Sequence, residues 1–480
     1  MTRSILSSLQ TETLPRREIL QRSALGFGML ALSGIVNESL LASVTPSLRS
    51  RPPHFAPKAK RVVMLFMDGG VSHVDSFDPK PRLNAEHGQP FKMKIETTQF
   101  ENNGSTFGTP FTFAKYGESG TPVSSLFPHV AQHVDDLCVI RSMQSPFAEH
   151  AQSCYMLHTG HPLQGHPSMG AWVSYGLGSE SQNLPSFVVV NGGQLPLGGI
   201  ANYSSGFLPA VHEASLFHVG LNTPVVDNIQ PDEPKPGQQL NKLRFIAEND
   251  RDFAGRIGSS EEVIESAIRN YELAFAMQRS VPEVADFKDE SAATQEMYGL
   301  NSANTFEARY ARQCLLARRL LERGVRFVEL TCVGGIRFVS PWDSHDNIKS
   351  EHQKNAEIVD RPIAALLSDL KQRGLLDDTL VIWTGEFGRT PFAQGSTGRD
   401  HNPQGFSMWL AGGGIRGGMT FGATDEYGYH AVENIVTPYD LQATILHLLG
   451  IDHERLTFRF GGRDFRLTDV HGNVQREILA

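Results

Sequence analysis

Cysteine is scarce: four in 480 residues, at positions 138, 154, 314 and 332. No two stand in a CxxC spacing, which excludes a thiolate zinc knuckle and a dense disulfide framework and leaves room for one or two bridges. Basic runs are missing from the body of the chain. Acidic residues outnumber Lys and Arg by 52 to 43, a formal charge of −9, so no nucleic-acid partner and no anionic-membrane surface is expected. Beyond the N-terminal region no apolar stretch reaches the about 18 residues of a membrane-spanning helix, so no stable membrane anchor is expected. Internal repeats and low-complexity tracts are absent. What remains is 40% hydrophobic and 20% charged, an ordinary globular composition with ample material for one large or two smaller cores.

Pro15-Arg16-Arg17-Glu18-Ile19-Leu20 precedes a mildly apolar stretch from Ala24 to Val36, and small residues follow at Ala42-Ser43. This resembles a twin-arginine signal peptide over residues 1–42, whose apolar region is too short for a normal transmembrane helix. The expected partner is the twin-arginine export machinery, and the expected location is the periplasm. No Cys follows the apolar region, so a lipoprotein anchor is not supported. Residues 43–60, with Pro46, Pro52, Pro53 and Pro57, read as an extended linker.

The folded body is expected over 61–480. Val62 to Met67 is a continuous apolar run ended by Asp68-Gly69-Gly70, as a parallel strand buried on both faces requires. Ser124 to Val134 reads as helix and Leu137 to Arg141 as strand. Phe187 to Val190 is a third apolar run, and a charged, helix-periodic stretch near 238–300 reads as a helical insertion. Phe306 to Gly324 is an amphipathic helix followed by the strand Val325 to Thr331. Asp360 is placed to cap a helix with Pro362 in its first turn, ending at Gly374 before the strand Leu380 to Trp383. Alternation of this kind predicts an α/β fold, a mostly parallel doubly wound sheet with helices on both faces. In such sheets ligands sit beyond the carboxyl ends of the strands.

The chemistry-bearing residues cluster in those loops. Asp68 ends the first strand, where a metal ligand is useful, and Ser72, His73 and Asp75 follow it. Adjacency alone cannot make these a triad. Asp75 and Asp78 read as turn residues with hydrogen-bonded side chains. Asp343 and His345, two apart after the strand ending at Thr331, can chelate one divalent ion, whereas His352 reads as an exposed helix residue. Glu386 directly follows a buried strand, and His401 lies in Gly398-Arg399-Asp400-His401. Arg389 and Arg399 could supply positive charge for an anionic substrate or anchor their loops.

Taken together, Gly69-Gly70-Val71-Ser72-His73, Asp75-Ser76-Phe77-Asp78-Pro79-Lys80-Pro81, Trp342-Asp343-Ser344-His345, Gly385-Glu386-Phe387-Gly388-Arg389-Thr390-Pro391, Gly398-Arg399-Asp400-His401 and Gly462 to Val470 are similar to one family over nearly the whole chain. That family is the exported bacterial domain of unknown function 1501, within the alkaline phosphatase and sulfatase superfamily. The resemblance implies an alkaline-phosphatase-like α/β/α sandwich. It also implies one or two divalent metals, of which zinc, calcium, magnesium and manganese are candidates, and a small-molecule or glycan ester of phosphate or sulfate as substrate. By resemblance Asp68 looks like the first-strand metal Asp, Asp343 and His345 like the Asp and His pair, and His401 like the late metal His. Glu386 sits where the superfamily has the Asp of an Asp-His-Gly turn, but Phe387 replaces the His, so one ligand of a two-metal site is missing.

Counting back from Thr159-Gly160 as in the sulfatase nucleophile motif places His150 where Cys or Ser is expected. An imidazole there could coordinate metal, accept a phosphoryl group or act as general acid, or be a buried structural residue, but it cannot become formylglycine. Ser72 is the nearby hydroxyl that could substitute as nucleophile. The reading is a metal-dependent ester hydrolase, with a non-catalytic binding protein for an anionic or glycan ligand as its rival. For export the expectation is direct: replacing Arg16 and Arg17 by Lys should hold the precursor in the cytoplasm, because a receptor reads the pair rather than its charge. Cell fractionation checks this, and unimpaired processing near Ser43 in the double variant would contradict it.

Overall fold

A strand of six residues, β1 (Arg61–Phe66), sets the middle of the structure. Its side chains alternate: Val63 and Leu65 join one apolar cluster, and Val62, Met64 and Phe66 join another on the opposite face. Both faces are therefore covered, which is why the strand is apolar throughout. The computed structural model describes residues 50–480 apart from 221–223, 231–232, 234–236, 258–260 and 335–339. The twin-arginine segment and the start of the linker lie outside the described residues.

Seven further strands complete the sheet: β2 (Leu137–Met143), β3 (Phe187–Asn191), β4 (Ser215–His218), β5 (Phe327–Leu330), β6 (Thr379–Thr384), β7 (Phe406–Ala411) and β8 (Met419–Phe421). Their order across the sheet is β8-β2-β7-β6-β1-β5-β3-β4. Every neighbouring pair is parallel except those made by β7, which runs against both β2 and β6. The longer helices among the described residues are α1 (His150–Thr159), α2 (Met169–Leu177), α3 (Gln238–Ile257), α4 (Glu261–Ala285), α5 (Thr305–Glu322), α6 (Ile348–Gln372) and α7 (Pro438–Leu448). Residues of α5 and α6 fill the Val63 face, and residues of α1, α2 and α7 fill the Val62 face, so the layers are helix, sheet, helix. No helix among the described residues is long and apolar enough to cross a membrane. The four cysteines are all buried as free thiols, with no bridge between them.

Because the strands around β1 are parallel, the loops after β1, β2, β5 and β6 open on one edge. Since β7 is antiparallel, the chain entering it arrives at that same edge. It comes from a hairpin of two strands, Gly388–Gln394 and Gly398–Asn402. Two glycines let these loops close up. A Cβ on Gly69, which has φ 109°, would lie 2.5 Å from the Asp343 nitrogen, and one on Gly398 would lie 1.8 Å from the His345 carbonyl oxygen.

Three local expectations are corrected. Helix α6 begins at Ile348 and contains Pro362 in its interior, because buried Ile348, His352, Ala356 and Val359 carry the helix upstream of the proline. The Asp360 carboxylate instead accepts from the backbone nitrogens of His129 and Val130, both at 2.8 Å, and so caps a short 3₁₀ turn, Val130–Asp136, where helix was expected. His352 is fully buried, and its Nε2 accepts from the Ser72 nitrogen at 3.0 Å.

One buried ion pair ties the loop after β1 to the hairpin. Arg399 and Asp75 have fully buried side chains, with Nε 2.8 Å from Oδ2, and Ser72 Oγ donates to the same oxygen at 2.5 Å. Burial opposes the charge on Asp75, but Arg399 outweighs it and holds the carboxyl below the usual range. Asp75→Asn should destabilise the fold by about 3 kcal/mol or more at neutral pH, since it leaves Arg399 buried without a counter-charge. The pair's contribution is present above the unfolded carboxylate range of about 4 and is lost as pH falls through the lower folded value. Urea melts of both proteins at several pH values should therefore converge in acid; a constant gap, or none at pH 7, would contradict this.

Candidate metal centre

Four side chains meet at the open edge of the sheet. His150 opens α1, where Glu149 caps the helix by accepting from the Gln152 nitrogen at 2.9 Å. Asp343 and His345 lie in the loop after β5, which is pinned to the loop after β1 by the Trp342 nitrogen donating to the Asp68 carbonyl at 3.1 Å. His401 comes from the hairpin, opposite Arg389 in its register. The candidate ligand atoms of His150, Asp343, His345 and His401 all lie within 4.8 Å of one another.

The Nε2 atoms of His345, His401 and His150 stand 2.8, 3.1 and 3.3 Å from one oxygen, Asp343 Oδ1. The Nε2 atoms of His345 and His401 are 3.0 Å apart. On the far side of each ring Nδ1 meets an acceptor. His150 Nδ1 donates to Glu386 Oε1 at 2.6 Å, His401 Nδ1 to the Ala148 carbonyl at 2.6 Å, and His345 Nδ1 to Gln394 Oε1. A neutral imidazole carries one N–H. With that hydrogen at Nδ1 in all three rings, three Nε2 lone pairs and a carboxylate oxygen point at one another. His150 Nε2 is buried without any hydrogen-bond partner. Such a cluster favours a further cation at its centre, beside the Arg389 guanidinium on Asp343, and either a proton or a metal ion would serve.

The electrostatics express the same need. Burial opposes a charged His150, yet Asp343 and Glu386 push its pKa up to about 9. Burial lowers His401 to about 3, and Arg389 and His150 add to that effect. Burial works against ionised Asp343 too, but the three imidazoles and Arg389 hold its carboxyl far below the ordinary range. Asp343 and Glu386 thus favour positive charge at His150, and a divalent ion would compete with a proton there. The orphaned Nε2, the shared oxygen and the three anchored rings fit a metal ion, since ligating imidazoles donate their other N–H to a carboxylate or carbonyl.

The structure places the expected residues as follows. Asp343, His345 and His401 converge, and His150 joins them. Glu386 stands behind His150, with its carboxylate also taking the Gly69 N–H at 2.9 Å. Asp68 is buried, and burial together with the charge of Glu386 raises its pKa to about 8. Ser72 is buried with its hydroxyl directed at Asp75. Arg389 donates to the carbonyls of Gly70 (2.9 Å), Arg399 (3.1 Å) and Gly69 and to Asp343 Oδ1 (2.7 Å), so its guanidinium braces the loops around the cluster. Phe387 stacks on His401 with centroids 4.4 Å apart and packs against His150 at 4.9 Å, wedging both rings. Gln394 and the Ala148 carbonyl were not foreseen; an amide and a backbone oxygen carry no sequence signal for such a role.

Residues 59–479 match the model of a family described as "Protein of unknown function (DUF1501)". The chain belongs to that family. No curated protein matches it. Among solved structures, the DUF1501 chain is similar to the lipoteichoic acid synthase LtaP from Listeria monocytogenes, with 9% identity, TM-score 0.40, and coverage of 89% of this chain and 79% of that one. It is also similar to the PsFucS1 sulfatase from Pseudoalteromonas sp., with 12% identity, TM-score 0.40, and coverage of 88% and 72%. A third likeness is to a protein in the alkaline phosphatase superfamily from Vibrio parahaemolyticus, with 11% identity, TM-score 0.36, and coverage of 85% and 71%.

Protein purified without chelators should hold about one divalent ion per chain, bound through the converging imidazoles. Gln394→Ala, which removes the acceptor for His345, should weaken binding by about 10- to 100-fold, and His401→Ala should abolish it. Elemental analysis with a competing chelator measures both. Substoichiometric metal in the unaltered protein, unchanged in either variant, would contradict the site.

Proposed function

We propose that this DUF1501 protein is a periplasmic, metal-dependent hydrolase of phosphate or sulfate esters, exported by the twin-arginine route. The observation that carries the reading is the convergence of three Nε2 atoms on Asp343 Oδ1, each ring fixed from behind by an acceptor. Three imidazoles and one carboxylate are a donor set suited to zinc, whereas calcium and magnesium prefer oxygen ligands throughout. When bound, such an ion supplies Lewis acidity toward an ester oxygen and makes water a stronger acid.

The chain's own residues do the rest. Glu386, Gln394 and the Ala148 carbonyl hold each imidazole in the tautomer that leaves Nε2 free to coordinate. Arg389 lies against the charged Asp343, keeping that carboxylate ionised and unsuited to carry a proton. Phe387 stands where the resemblance implies a further ligand and packs an apolar ring against His150 and His401, which favours a single ion. His150 is assigned to ligation rather than to nucleophilic attack, because its Nε2 belongs to the cluster and its Nδ1 is held by Glu386. Ser72 directs its hydroxyl to Asp75, so water is assigned as the nucleophile. Asp343 and His345 form the more exposed flank, with side chains 21% and 17% accessible against 2% for His401, and the ester approaches there.

Zinc-loaded protein should turn over at least one of the 4-nitrophenyl esters of phosphate, phenylphosphonate and sulfate. His150→Ala should lose about a hundredfold or more together with its metal, since even an outer partner of a metal ligand is worth up to that much. Ser72→Ala should keep its turnover per folded molecule. Loss of turnover in Ser72→Ala with metal retained would restore a serine nucleophile, and failure of the loaded protein on all three esters would favour the binding-protein reading.

A further inference from the structure

On the exposed flank of the cluster stands an aromatic ring that the fold does not bury. Phe100 is 54% accessible, yet its centroid lies only 4.7 Å from that of His345, at an interplanar angle of 82°, and 6.4 Å from that of His401, at 74°. The ring therefore meets both imidazoles near perpendicular and leaves the rest of its surface in solvent beside the ligands. Singly exposed apolar side chains are ordinary on a protein surface; what sets Phe100 apart is that its exposed ring touches two of the candidate ligands.

The segment holding Phe100 is fastened to the machinery of the site. The Phe100 nitrogen donates to Asp400 Oδ2 at 3.1 Å, and the other oxygen of that fully buried carboxylate accepts from the His401 nitrogen at 2.7 Å. The next residue, Glu101, adopts φ 53° and turns the chain back, with its nitrogen donating to Thr98 Oγ1 at 3.2 Å. The Gly395 nitrogen donates to the Asn102 carbonyl at 3.1 Å, and Asn103 pairs with Gln394, the residue that orients His345. One carboxylate and one strand pairing thus hold the ring in register with two of the candidate ligands.

We propose that Phe100 is a specificity residue: it presents an aromatic platform to the alcohol portion of the substrate, so the site prefers esters whose alcohol carries a ring close to the ester oxygen. The inference rests on the ester-hydrolase reading and deepens it. A group bound between His345 and solvent extends along the accessible side of Phe100, and stacking between rings contributes about two- to tenfold in affinity beyond burial alone.

The test uses zinc-loaded protein and non-hydrolysable anions, so that binding is read without turnover. Dissociation constants for methylphosphonate, phenylphosphonate and cyclohexylphosphonate are measured by calorimetry on the unaltered protein, Phe100→Ala and Phe100→Trp, with metal content verified in each. The expected result is a preference for phenyl- over methylphosphonate that drops about fivefold in Phe100→Ala, persists in Phe100→Trp, and leaves methylphosphonate within about twofold throughout. A parallel drop with cyclohexylphosphonate extends the preference to saturated rings such as sugars; a drop confined to phenylphosphonate restricts it to aryl groups. An unchanged phenyl preference in Phe100→Ala overturns the inference while the ester reading stands. Equal weakening of all three ligands overturns it as well, assigning Phe100 to propping His345. Binding of none of the three to the unaltered protein overturns the ester reading, and the inference with it.

Discussion

Three imidazole lone pairs and a carboxylate oxygen directed at a common point repel one another unless a cation lies between them. Around Asp343 Oδ1 the chain builds this arrangement from three separate segments and then prevents it from relaxing. Each ring is held at Nδ1, His150 and His401 are wedged by Phe387, and Asp343 is held by the Arg389 guanidinium. A buried, incompletely satisfied polar cluster destabilises a fold by itself, and persists where surrounding contacts over-determine it. The stability of the rest of the molecule offsets that local cost.

The sheet supplies the rigidity. Parallel pairing of β1 with β5 and β6 aligns the ends of three strands, and the loops leaving them carry Asp68, Asp343, His345 and Glu386 to one edge. The antiparallel strand β7 has a particular consequence: the hairpin before it enters from that edge and delivers His401, Arg389 and Gln394 together. Arg389 then binds carbonyls of both loops, those of Gly69 and Gly70 and that of Arg399, so a ligand-bearing hairpin and a strand end move as one. Loop closeness at Gly69 and Gly398 leaves no room for side chains there, which makes these positions as restrictive as the ligands.

Much of this was legible in the residues. A strand buried on both faces must be apolar throughout, and Val62 to Met67 announces itself for that reason. Periodicity likewise marks α5, whose Asn304 caps it in the structure by accepting from the nitrogens of Phe306 and Glu307. The sheet edge, and the approach of Asp343, His345 and His401 to one another there, followed from where acids and imidazoles stand after such strands, whereas Asp68 and Glu386, read as ligands on the same ground, stand outside the converging group. Less legible was anything settled by a distant partner. Asp360 looks like the start of its own helix because capping is a local pattern, but its carboxylate serves residues 129 and 130 instead. His352 reads as exposed until the Ser72 nitrogen is found against its Nε2. Glu386 has the charge of a ligand, and only the third dimension shows its oxygen on the rear nitrogen of His150. Arg389 looks equally suited to binding an anion and to bracing loops, since four carbonyl or carboxylate contacts cannot be counted from a one-dimensional string.

The proposal turns on whether a metal ion, rather than a proton on His150, neutralises this cluster in the working protein. Anomalous diffraction from crystals of chelator-free protein, recorded on both sides of the zinc absorption edge, addresses it most directly. One strong peak is expected about 2.0 to 2.1 Å from the Nε2 atoms of His150, His345 and His401, with Asp343 on the same ion. Crystals from zinc-containing medium that show no peak at any transition-metal edge, with His150 donating a proton to Asp343 in its place, would contradict it.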